Sequence, residues 1–517
     1  MLWFTAVYST ANGSFTVDGN CVVQENELYK IVLLSNALED DIKKQCAEIL
    51  LYGKDAIEKQ NGRFTLLLYD KTTHELQCFQ DFLCGLSPLY YVQVGEKIYL
   101  STSLKKILTN SKMQRKIDKK AFKKFEIHNA LQGNETLIKN LKKLPSQKLL
   151  YINKKGLKLC DNLIKVDSYD NFKNDNCESL WKKSIYESVL SCVSDDNETA
   201  IPLSSGYDSN CILWNLAQDN TRKICCYCVG GSNGVNEVSF AEQIAKQYSS
   251  ARFNSVLVSP NTLQSLPDIV WKLEGNVYEQ GIFLQYELAK AISKDGWKSI
   301  ICGEGSDEIF SDNFFNDLSN PDRVQNSFLK RKNMYIWLAQ HISRKSTIIM
   351  NCFDIIPRYP FSSTVILPLM KYIKETTNTK GKEFHKEFCK KVFPEGVVEQ
   401  INSVGGKTDL SALFVDEPYK ELKLIKKQAG IHFSLLNRMM TTCELLKMVI
   451  VNIVKGQTYD IKQERRKRFQ NNVMVYLFLK IFLEIFISGK FDKNFENITL
   501  KTTLKEILEQ NKKREDM

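Results

Sequence analysis

Two short segments rich in glycine and serine hold the residues best suited to phosphate chemistry. The first, Leu203-Ser204-Ser205-Gly206-Tyr207-Asp208-Ser209, lies between a predicted strand (199–203) and a predicted helix (209–216). At such a junction backbone N–H groups, the helix N-terminus and serine hydroxyls form a cradle for a phosphate or pyrophosphate. Gly206 lets the backbone approach the phosphate oxygens closely. Asp208 would repel a bare phosphate, so we expect it to bind the magnesium ion that the phosphates bring.

The second segment is Gly303-Glu304-Gly305-Ser306-Asp307-Glu308, which directly follows a predicted strand at residues 299–302. Two loops at the carboxyl edge of one parallel sheet could hold a single Mg²⁺–ATP between the carboxylates of Asp208 and Asp307. The alternative is a pair of ordinary turns with capping aspartates. The two segments in this order favour the nucleotide site. Its predicted ATP-binding residues are Leu203, Ser204, Ser205, Gly206, Tyr207, Asp208, Ser209, Gly303, Gly305 and Ser306.

The elements around these loops predict an α/β architecture in two domains. Residues 1–165 contain short β-rich runs broken by turns, at 4–8, 64–69, 89–94, 97–101 and 148–152. The polar stretch 167–176 is the candidate linker. From residue 177 the pattern alternates between helix (178–193, 209–216, 238–248) and strand (199–203, 224–229), which predicts βαβ units and a parallel sheet. We assign the second domain to 177–455 and a helical C-terminal extension to 456–517.

Composition limits the kind of protein. The 517 residues include 43% hydrophobic and 25% charged residues, which is typical of packed globular domains. The net charge of +11 suits a polyanionic substrate but does not indicate nucleic acid, because the basic residues are scattered. Fifteen cysteines without metal-ligand spacing predict reduced, buried thiols and a cytoplasmic location. The apolar stretch 473–487 carries Lys480 and Glu484, and predicts a buried or partner-facing helix rather than a membrane span.

The two loops resemble signatures of a known family. The first is similar to the SGGxDS loop of N-type ATP pyrophosphatases, with Ser205 at the position of a glycine, which could narrow the loop. The second resembles the GEGxDE signature of asparagine synthetases. Asn236-Glu237 resembles an acidic pair that follows the family's second strand, and Arg358-Tyr359-Pro360-Phe361 is similar to its R-x-P-F-L-D run. The resemblance implies a parallel-sheet ATP-pyrophosphatase domain that uses ATP and Mg²⁺ to adenylate a carboxylate.

The N-terminal half resembles the glutaminase half of the same family. The matching segments are Asn61-Gly62-Arg63-Phe64, Tyr69-Asp70, Asp81, Gly85, Pro88-Leu89-Tyr90-Tyr91 and Ser101-Thr102-Ser103. This implies an Ntn-type layered α/β/β/α domain. Such glutaminases need an N-terminal cysteine as nucleophile, whereas this sequence begins Met1-Leu2-Trp3 and its first cysteine is Cys21. We therefore expect a degenerate domain that keeps the fold without hydrolysing glutamine.

Loss of that cysteine is shared by relatives that form intramolecular amides, namely β-lactam synthetases and the macrolactam synthetases of lasso peptides. Glu304 stands where β-lactam synthetases have a catalytic tyrosine, and Ile356 stands where asparagine-forming enzymes have a glutamate. These departures favour a lasso-peptide cyclase by elimination. Glu304 and Lys407 are the candidate catalytic residues, and Lys407 would stabilise charge as the amine attacks.

The resemblance implies a substrate and partners. The carboxylate would be an Asp or Glu side chain of a precursor peptide, closed onto the peptide's own N-terminal amine. A leader peptidase and a precursor-recognition protein are the expected partners, with no nucleic acid and no transmembrane segment. Alternatives are another small-molecule amide ligase of this family, or a non-catalytic scaffold that keeps the fold. Intact Asp208, Asp307 and Glu308 argue against the scaffold.

Overall fold

The fold was determined from a computed structural model of the chain. It describes residues 2–59, 63–81, 86–131, 133–145, 148–161, 176–194, 197–231, 237–275, 277–279, 281–310, 344–363, 366, 381–401, 413, 418–428 and 461–488. Several expectations fall outside these ranges, including all but the last residue of the linker at 167–176, and Asn61, Gly62, Gly85, Asn236 and Lys407. The side chain of Glu308 is likewise not described.

The N-terminal domain contains two antiparallel sheets. Its strands are β1 (Trp3–Ser9), β2 (Phe15–Asn20), β3 (Val22–Glu25), β4 (Tyr29–Ser35), β5 (Phe64–Asp70), β6 (Glu75–Gln80), β7 (Tyr90–Val94), β8 (Lys97–Ser101), β9 (Lys142–Lys143), β10 (Lys148–Asn153) and β11 (Gly156–Asp161). One sheet has the order β2-β1-β8-β7-β9 and the other β11-β10-β6-β5-β4-β3. The antiparallel ladders are continuous, as in Thr5↔Ser101 between β1 and β8.

Helices cover the outer face of each sheet. They are α1 (Glu39–Tyr52), followed by a 3₁₀ segment (Gly53–Lys59), α2 (Leu104–Ser111) and α3 (Lys119–His128). Strand β5 shows why: Leu67 and Tyr69 face the core between the sheets, whereas Leu66 and Leu68 pack towards α1. Because side chains alternate along a strand, a strand apolar on both faces must be covered on both. The predicted α/β/β/α layering is confirmed.

The second domain is built on parallel strands. Its elements are α4 (Cys177–Leu190), β12 (Glu198–Pro202), α5 (Tyr207–Leu216), β13 (Lys223–Gly231), α6 (Glu237–Ala245), β14 (Ala251–Val258), α7 (Leu266–Leu273), α8 (Ile282–Lys294), β15 (Ser299–Ile301), α9 (Ser306–Ile309), α10 (Arg344–Cys352), β16 (Ile356–Arg358), α11 (Gly381–Val392), α12 (Glu395–Gln400) and α13 (Pro418–Gln428), with 3₁₀ turns at Pro260–Ser265 and Pro360–Ser362. Strands β12, β13 and β14 pair in parallel, as do β15 and β16. Strand β15 lies beside β12, so the loops that follow both strands open at one edge.

The C-terminal helix α14 (Ile461–Phe482) continues into a π-helical turn (Leu483–Ile487). Within the described residues, Arg468–Ile487 is long and apolar enough to cross a membrane, with a mean hydropathy of 1.4. Its side chains are nevertheless mostly buried in a core that α3, α7 and α8 also contribute to. Phe478, for example, stacks on Phe125 of α3 with ring centroids 5.8 Å apart. This packing matches the predicted buried helix.

Candidate active site

The two glycine-rich loops meet at the carboxyl ends of β12 and β15. A Cβ added to Gly303 would lie 3.3 Å from the backbone nitrogen of Ser209 and 3.4 Å from Cβ of Asp208, so glycine permits this close approach. Ser306 Oγ donates a hydrogen bond to Asp208 Oδ1 at 2.5 Å. The second loop turns at Gly305, whose φ of +102° is accessible mainly to glycine. The structure therefore brings the two predicted segments together.

The first loop is held by its own side chains at the start of α5. Ser209 Oγ accepts from the backbone nitrogen of Ser204 at 3.1 Å, and Ser204 Oγ accepts from Gly206 N at 3.1 Å. Asn210 Nδ2 donates to the carbonyl oxygens of Ser204 and Gly206. Leu203 is buried beneath this turn and Tyr207 opens the helix. A loop fixed in this way presents a helix N-terminus, where an anion is stabilised by the helix dipole.

Ser205, the departure from the family pattern, is buried and contacts Glu237. Its backbone nitrogen and its hydroxyl donate to Oε1 of Glu237 at 3.1 and 3.2 Å. Glu237 is the first residue of α6, so this carboxylate ties the loop to the next helix. Ser205, which was expected to narrow the loop, therefore links the loop to α6.

Lys382 joins the two carboxylates that were predicted to bind magnesium. Its Nζ donates to Asp208 Oδ1 and Oδ2 at 2.7 and 2.8 Å, and to Ser306 Oγ at 2.7 Å. The same Nζ lies 2.8 Å from Asp307 Oδ1. The exposed fractions of Asp208 (26%) and Asp307 (68%) show that the cluster opens to solvent on the Asp307 side. Oxygens of both carboxylates thus surround the single cationic group of Lys382. The same oxygens are ligands that suit a hard divalent ion carried by phosphates.

His385, one helical turn after Lys382 on α11, is fully buried behind Asp208. Its Nε2 lies 3.1 Å from Asp208 Oδ1. Burial lowers the pKa of His385 and outweighs the opposing effect of Asp208, so the neutral ring donates through Nε2–H. Burial raises the pKa of Asp208, but the His385 hydrogen bond and the Lys382 charge outweigh it and hold that pKa well below its usual range. Burial lowers the pKa of Lys382, but Asp208 and Asp307 raise it by more.

Glu304 contacts helices α8 and α10. Ser346 Oγ donates to Glu304 Oε1 at 2.5 Å, and Gln285 Nε2 lies 3.4 Å from the same oxygen. Nearby, the buried Lys345 forms an ion pair with Glu279. These contacts place Glu304 against α8 and α10 rather than beside the phosphate loop. Such a position suits a group that acts on the substrate.

The N-terminal domain contacts strand β16 and Tyr359 of the second domain. The guanidinium carbon of Arg63 lies 3.7 Å from the ring centroid of Tyr359. Asn36 Nδ2 donates to the carbonyl of Pro357 at 2.8 Å, and its Oδ1 accepts from the backbone of Arg63 at the same distance. Arg358, predicted from the R-x-P-F resemblance, donates weakly to the carbonyls of Asn36 and Cys192. Through these contacts Arg358 joins β16 to the N-terminal domain and to the segment that follows α4.

Sequence reasoning missed Lys382 and His385. A signal was present, since Lys382, His385 and Cys389 fall at intervals of three and four residues and therefore share one face of a helix. The candidate Lys407 lies outside the described residues, so its role stays a prediction.

Known proteins match both halves. The asparagine synthase family model matches residues 180–352, and the glutamine amidotransferase domain model matches residues 44–162. Asparagine synthetase [glutamine-hydrolyzing] 1 of Bacillus subtilis is 25% identical over 56% of this chain and 47% of its own length. A putative asparagine synthetase of Mycobacterium bovis is 23% identical over 50% of this chain and 41% of its own. The chain thus spans about half the length of these relatives.

Among solved structures, the glutamine phosphoribosylpyrophosphate amidotransferase of B. subtilis gives a TM-score of 0.20 at 11% identity, over 43% of this chain and 58% of that one. A score this low supports no inference. The sequence matches instead pair the αββα domain with the glutamine amidotransferase model and the parallel-sheet domain with the asparagine synthase model. The C-terminal half is therefore similar to asparagine synthetases and the N-terminal half to glutamine amidotransferase domains.

Proposed function

We propose that the chain is an ATP-dependent ligase that activates a carboxylate as its adenylate and transfers the acyl group to an amine. The observation that carries this proposal is that Asp208 and Asp307, which come from two strand-end loops, both contact the ammonium of Lys382 at the N-terminus of α5. Magnesium bound there would neutralise the pyrophosphate as it leaves.

The described residues support each step of that reaction. The substrate carboxylate attacks the α-phosphorus of ATP, and the bond to pyrophosphate breaks. The N-terminus of α5 and the ammonium of Lys382 stabilise the leaving pyrophosphate. The amine then attacks the acyl carbon, AMP leaves and the amine's proton passes to solvent or to a base. Glu304, separate from the phosphate loop, is the carboxylate best placed to orient the acyl or amine group.

The experiment is ATP–pyrophosphate exchange by the purified chain with candidate carboxylate substrates. Asp208→Asn and Asp307→Asn should each abolish exchange, because each replaces a hard anionic ligand with a neutral amide. Asp40→Asn, which changes a carboxylate that is 91% exposed on α1, is the matched control and should retain full exchange. Full exchange in either site variant would remove the assignment. No exchange with any carboxylate would favour the non-catalytic scaffold.

For the substrate, we propose a peptide carboxylate closed onto the peptide's own N-terminal amine. The support is Ile356 and Glu304, which depart from the glutamate of asparagine-forming enzymes and the tyrosine of β-lactam synthetases. A leader peptidase and a precursor-recognition protein would be partners of such a cytoplasmic enzyme. Incubation with a precursor peptide should give a product lighter by one water. A product from a small amino acid alone would favour the β-lactam-like or small-molecule alternative.

Lys407 offers a finer test of the cyclisation step. If it stabilises charge during amine attack, Lys407→Met should retain exchange while cyclised product falls by about 100-fold or more. Equal loss of exchange and cyclisation would place Lys407 at the ATP phosphates instead.

A further inference from the structure

Two thiols and an imidazole converge behind the candidate active site. Cys211 lies on α5, and His385 and Cys389 lie four residues apart on the facing helix α11. Their ligating atoms lie within 4.8 Å of one another, and all three side chains are fully buried. The described residues contain no other such group of His, Cys and acidic ligands. The proposed ligase reaction uses neither thiol.

The distances are close to those between ligands of a small metal ion. Cys389 Sγ lies 3.9 Å from Nδ1 and 3.8 Å from Nε2 of His385. Tetrahedral zinc, with Zn–S near 2.3 Å and Zn–N near 2.0 Å, separates sulfur and nitrogen ligands by about 3.5 Å. Because the sulfur is nearly equidistant from both ring nitrogens, coordination at Nδ1 requires the Cys389 side chain to rotate towards that nitrogen. The cysteines of β13 make a useful contrast: Cys225 and Cys226 are adjacent in a strand, so their side chains point to opposite faces.

The second ring nitrogen of His385 already has the partner that metal-binding histidines usually have. A ligating histidine commonly donates its other N–H to a carboxylate, which fixes the tautomer and ring orientation. Here Nε2 lies 3.1 Å from Asp208 Oδ1, which leaves Nδ1 as the ring nitrogen available to a metal ion. The ring is also held by aromatic walls, with Phe310 at 4.8 Å and Trp181 at 5.4 Å between centroids.

We propose that Cys211 Sγ, Cys389 Sγ and His385 Nδ1 bind one thiophilic divalent cation of the zinc class. The ion displaces the two thiol protons to solvent, and both sulfurs coordinate as thiolates. Burial raises the pKa of the Cys389 thiol, so affinity for the ion rises with pH as these protons are released. Through His385 the site contacts Asp208, and the link to nucleotide chemistry rests on the proposed function. The metal site itself does not.

The test uses the full reduced chain titrated with Co²⁺, whose thiolate charge-transfer band reports sulfur coordination directly. We expect one equivalent to bind with this band, and Zn²⁺ to displace it. Cys211→Ser and Cys389→Ser should each weaken binding by more than about 100-fold, exceeding the 10–100-fold usual for an outer-shell change. Asp208→Asn should fall in that outer-shell range. Cys78→Ser, at a fully buried cysteine of the N-terminal core, is the matched control and should bind normally.

A measurement on the unmutated chain tests the proposal even if the variants fail to fold. X-ray absorption at the zinc edge should show two sulfur ligands and one imidazole nitrogen. A chain that binds no Co²⁺ tightly, or binds it only through oxygen and nitrogen, overturns the proposal. A charge-transfer band unchanged in Cys389→Ser also overturns it. Since none of these readouts requires ligase activity, failure of the metal site and failure of the proposed function are distinguishable.

Discussion

At the scale of single residues, Asp208 organises the site. It accepts hydrogen bonds from Ser306, Lys382 and His385, which come from two separate stretches of sequence. A partly buried carboxylate of this kind is stabilised only while its cationic and hydrogen-bonding partners stay in place. Loss of one of these partners is therefore expected to disturb the site as loss of the Asp208 carboxylate would.

Replacing Lys382 tests this arrangement. Lys382→Met leaves Asp208 and Asp307 facing each other without their shared ammonium, so pyrophosphate exchange should fall by about 100-fold. Lys382→Arg keeps the charge but changes the geometry and should recover part of it. Lys390→Met changes an exposed lysine of the same helix and should have no effect. An unchanged rate in Lys382→Met would show that the lysine only fills the site when no nucleotide is bound.

The depressed pKa of His385 makes a second prediction. An ordinary histidine titrates near pH 6.5, whereas burial keeps His385 neutral below that pH. Between the two pKa values the unfolded chain binds more protons, so this residue stabilises the fold less as the pH falls below about 6.5. In spectra of the five ¹³C-labelled histidines, the Hε1 signal lost in His385→Gln should titrate with a midpoint below pH 6.5. A midpoint above 6.5 for that signal would be contrary to this expectation.

The sequence predicted the carboxylates of the site but not their partners. Asp208 and Asp307 each follow a strand within a recognisable glycine-rich segment, so local pattern was enough. Lys382 and His385 lie on an amphipathic helix far along the chain, and only tertiary packing shows which side of that helix meets the loop. Nothing in the sequence next to Lys382 distinguishes it from the other lysines of the chain.

At the scale of elements, the predicted strands and helices of the parallel domain are confirmed with shifts of at most three residues at their ends. Strand β14 was missed because its inward and outward residues are only partly buried and polar residues interrupt the pattern. Strand β16 was missed because it has three residues, one of them proline. Short or edge strands owe their conformation to a neighbour's hydrogen bonds, which no local pattern contains.

Two glycines provide a matched test of how α14 docks. Gly275 and Gly296 both have positive φ, +71° and +87°. An added Cβ at Gly275 would lie 2.3 Å from Cε2 of Phe482 on α14, whereas nothing lies within 4 Å at Gly296. Gly296→Ala should cost about 1–2 kcal/mol, the left-handed penalty alone. Gly275→Ala should add about 1–3 kcal/mol of overpacking.

The measurement is the shift in denaturant midpoint, taken relative to the unmutated chain. Phe482→Leu combined with Gly275→Ala should be less destabilised than the sum of the two single changes, because the smaller side chain relieves the clash. Equal midpoints for the two alanine variants would mean that α14 does not pack against Gly275 in solution.

At the scale of the whole molecule, the two domains share one apolar core, so the N-terminal domain packs with the second domain as one structural unit. Side chains of α2 and α3 pack in the same cluster as α7, α8 and α14. Glu274, which follows α7, accepts from Ser103 Oγ at 2.9 Å and from Leu104 N at 2.7 Å, and so caps a helix of the other domain. The αββα layering was predictable from alternating strands, but this cap joins residues far apart in sequence.

The last prediction concerns what the N-terminal domain does with glutamine. A nucleophilic cysteine must be a thiolate, yet burial raises the pKa of Cys21 and of Cys46 to about 11. At pH 7.5 less than about one such thiol in a thousand is ionised. The purified chain should therefore release no glutamate from glutamine, and Cys21→Ser should leave product formation unchanged. Glutamate release measured by a coupled dehydrogenase assay, and lost in Cys21→Ser, would show that this domain still hydrolyses glutamine. If the expectation holds, the domain contributes structure instead. Arg63 and Asn36 contact Tyr359 and Pro357 of the second domain, and Arg63→Met should then lower exchange without any change in glutamine chemistry.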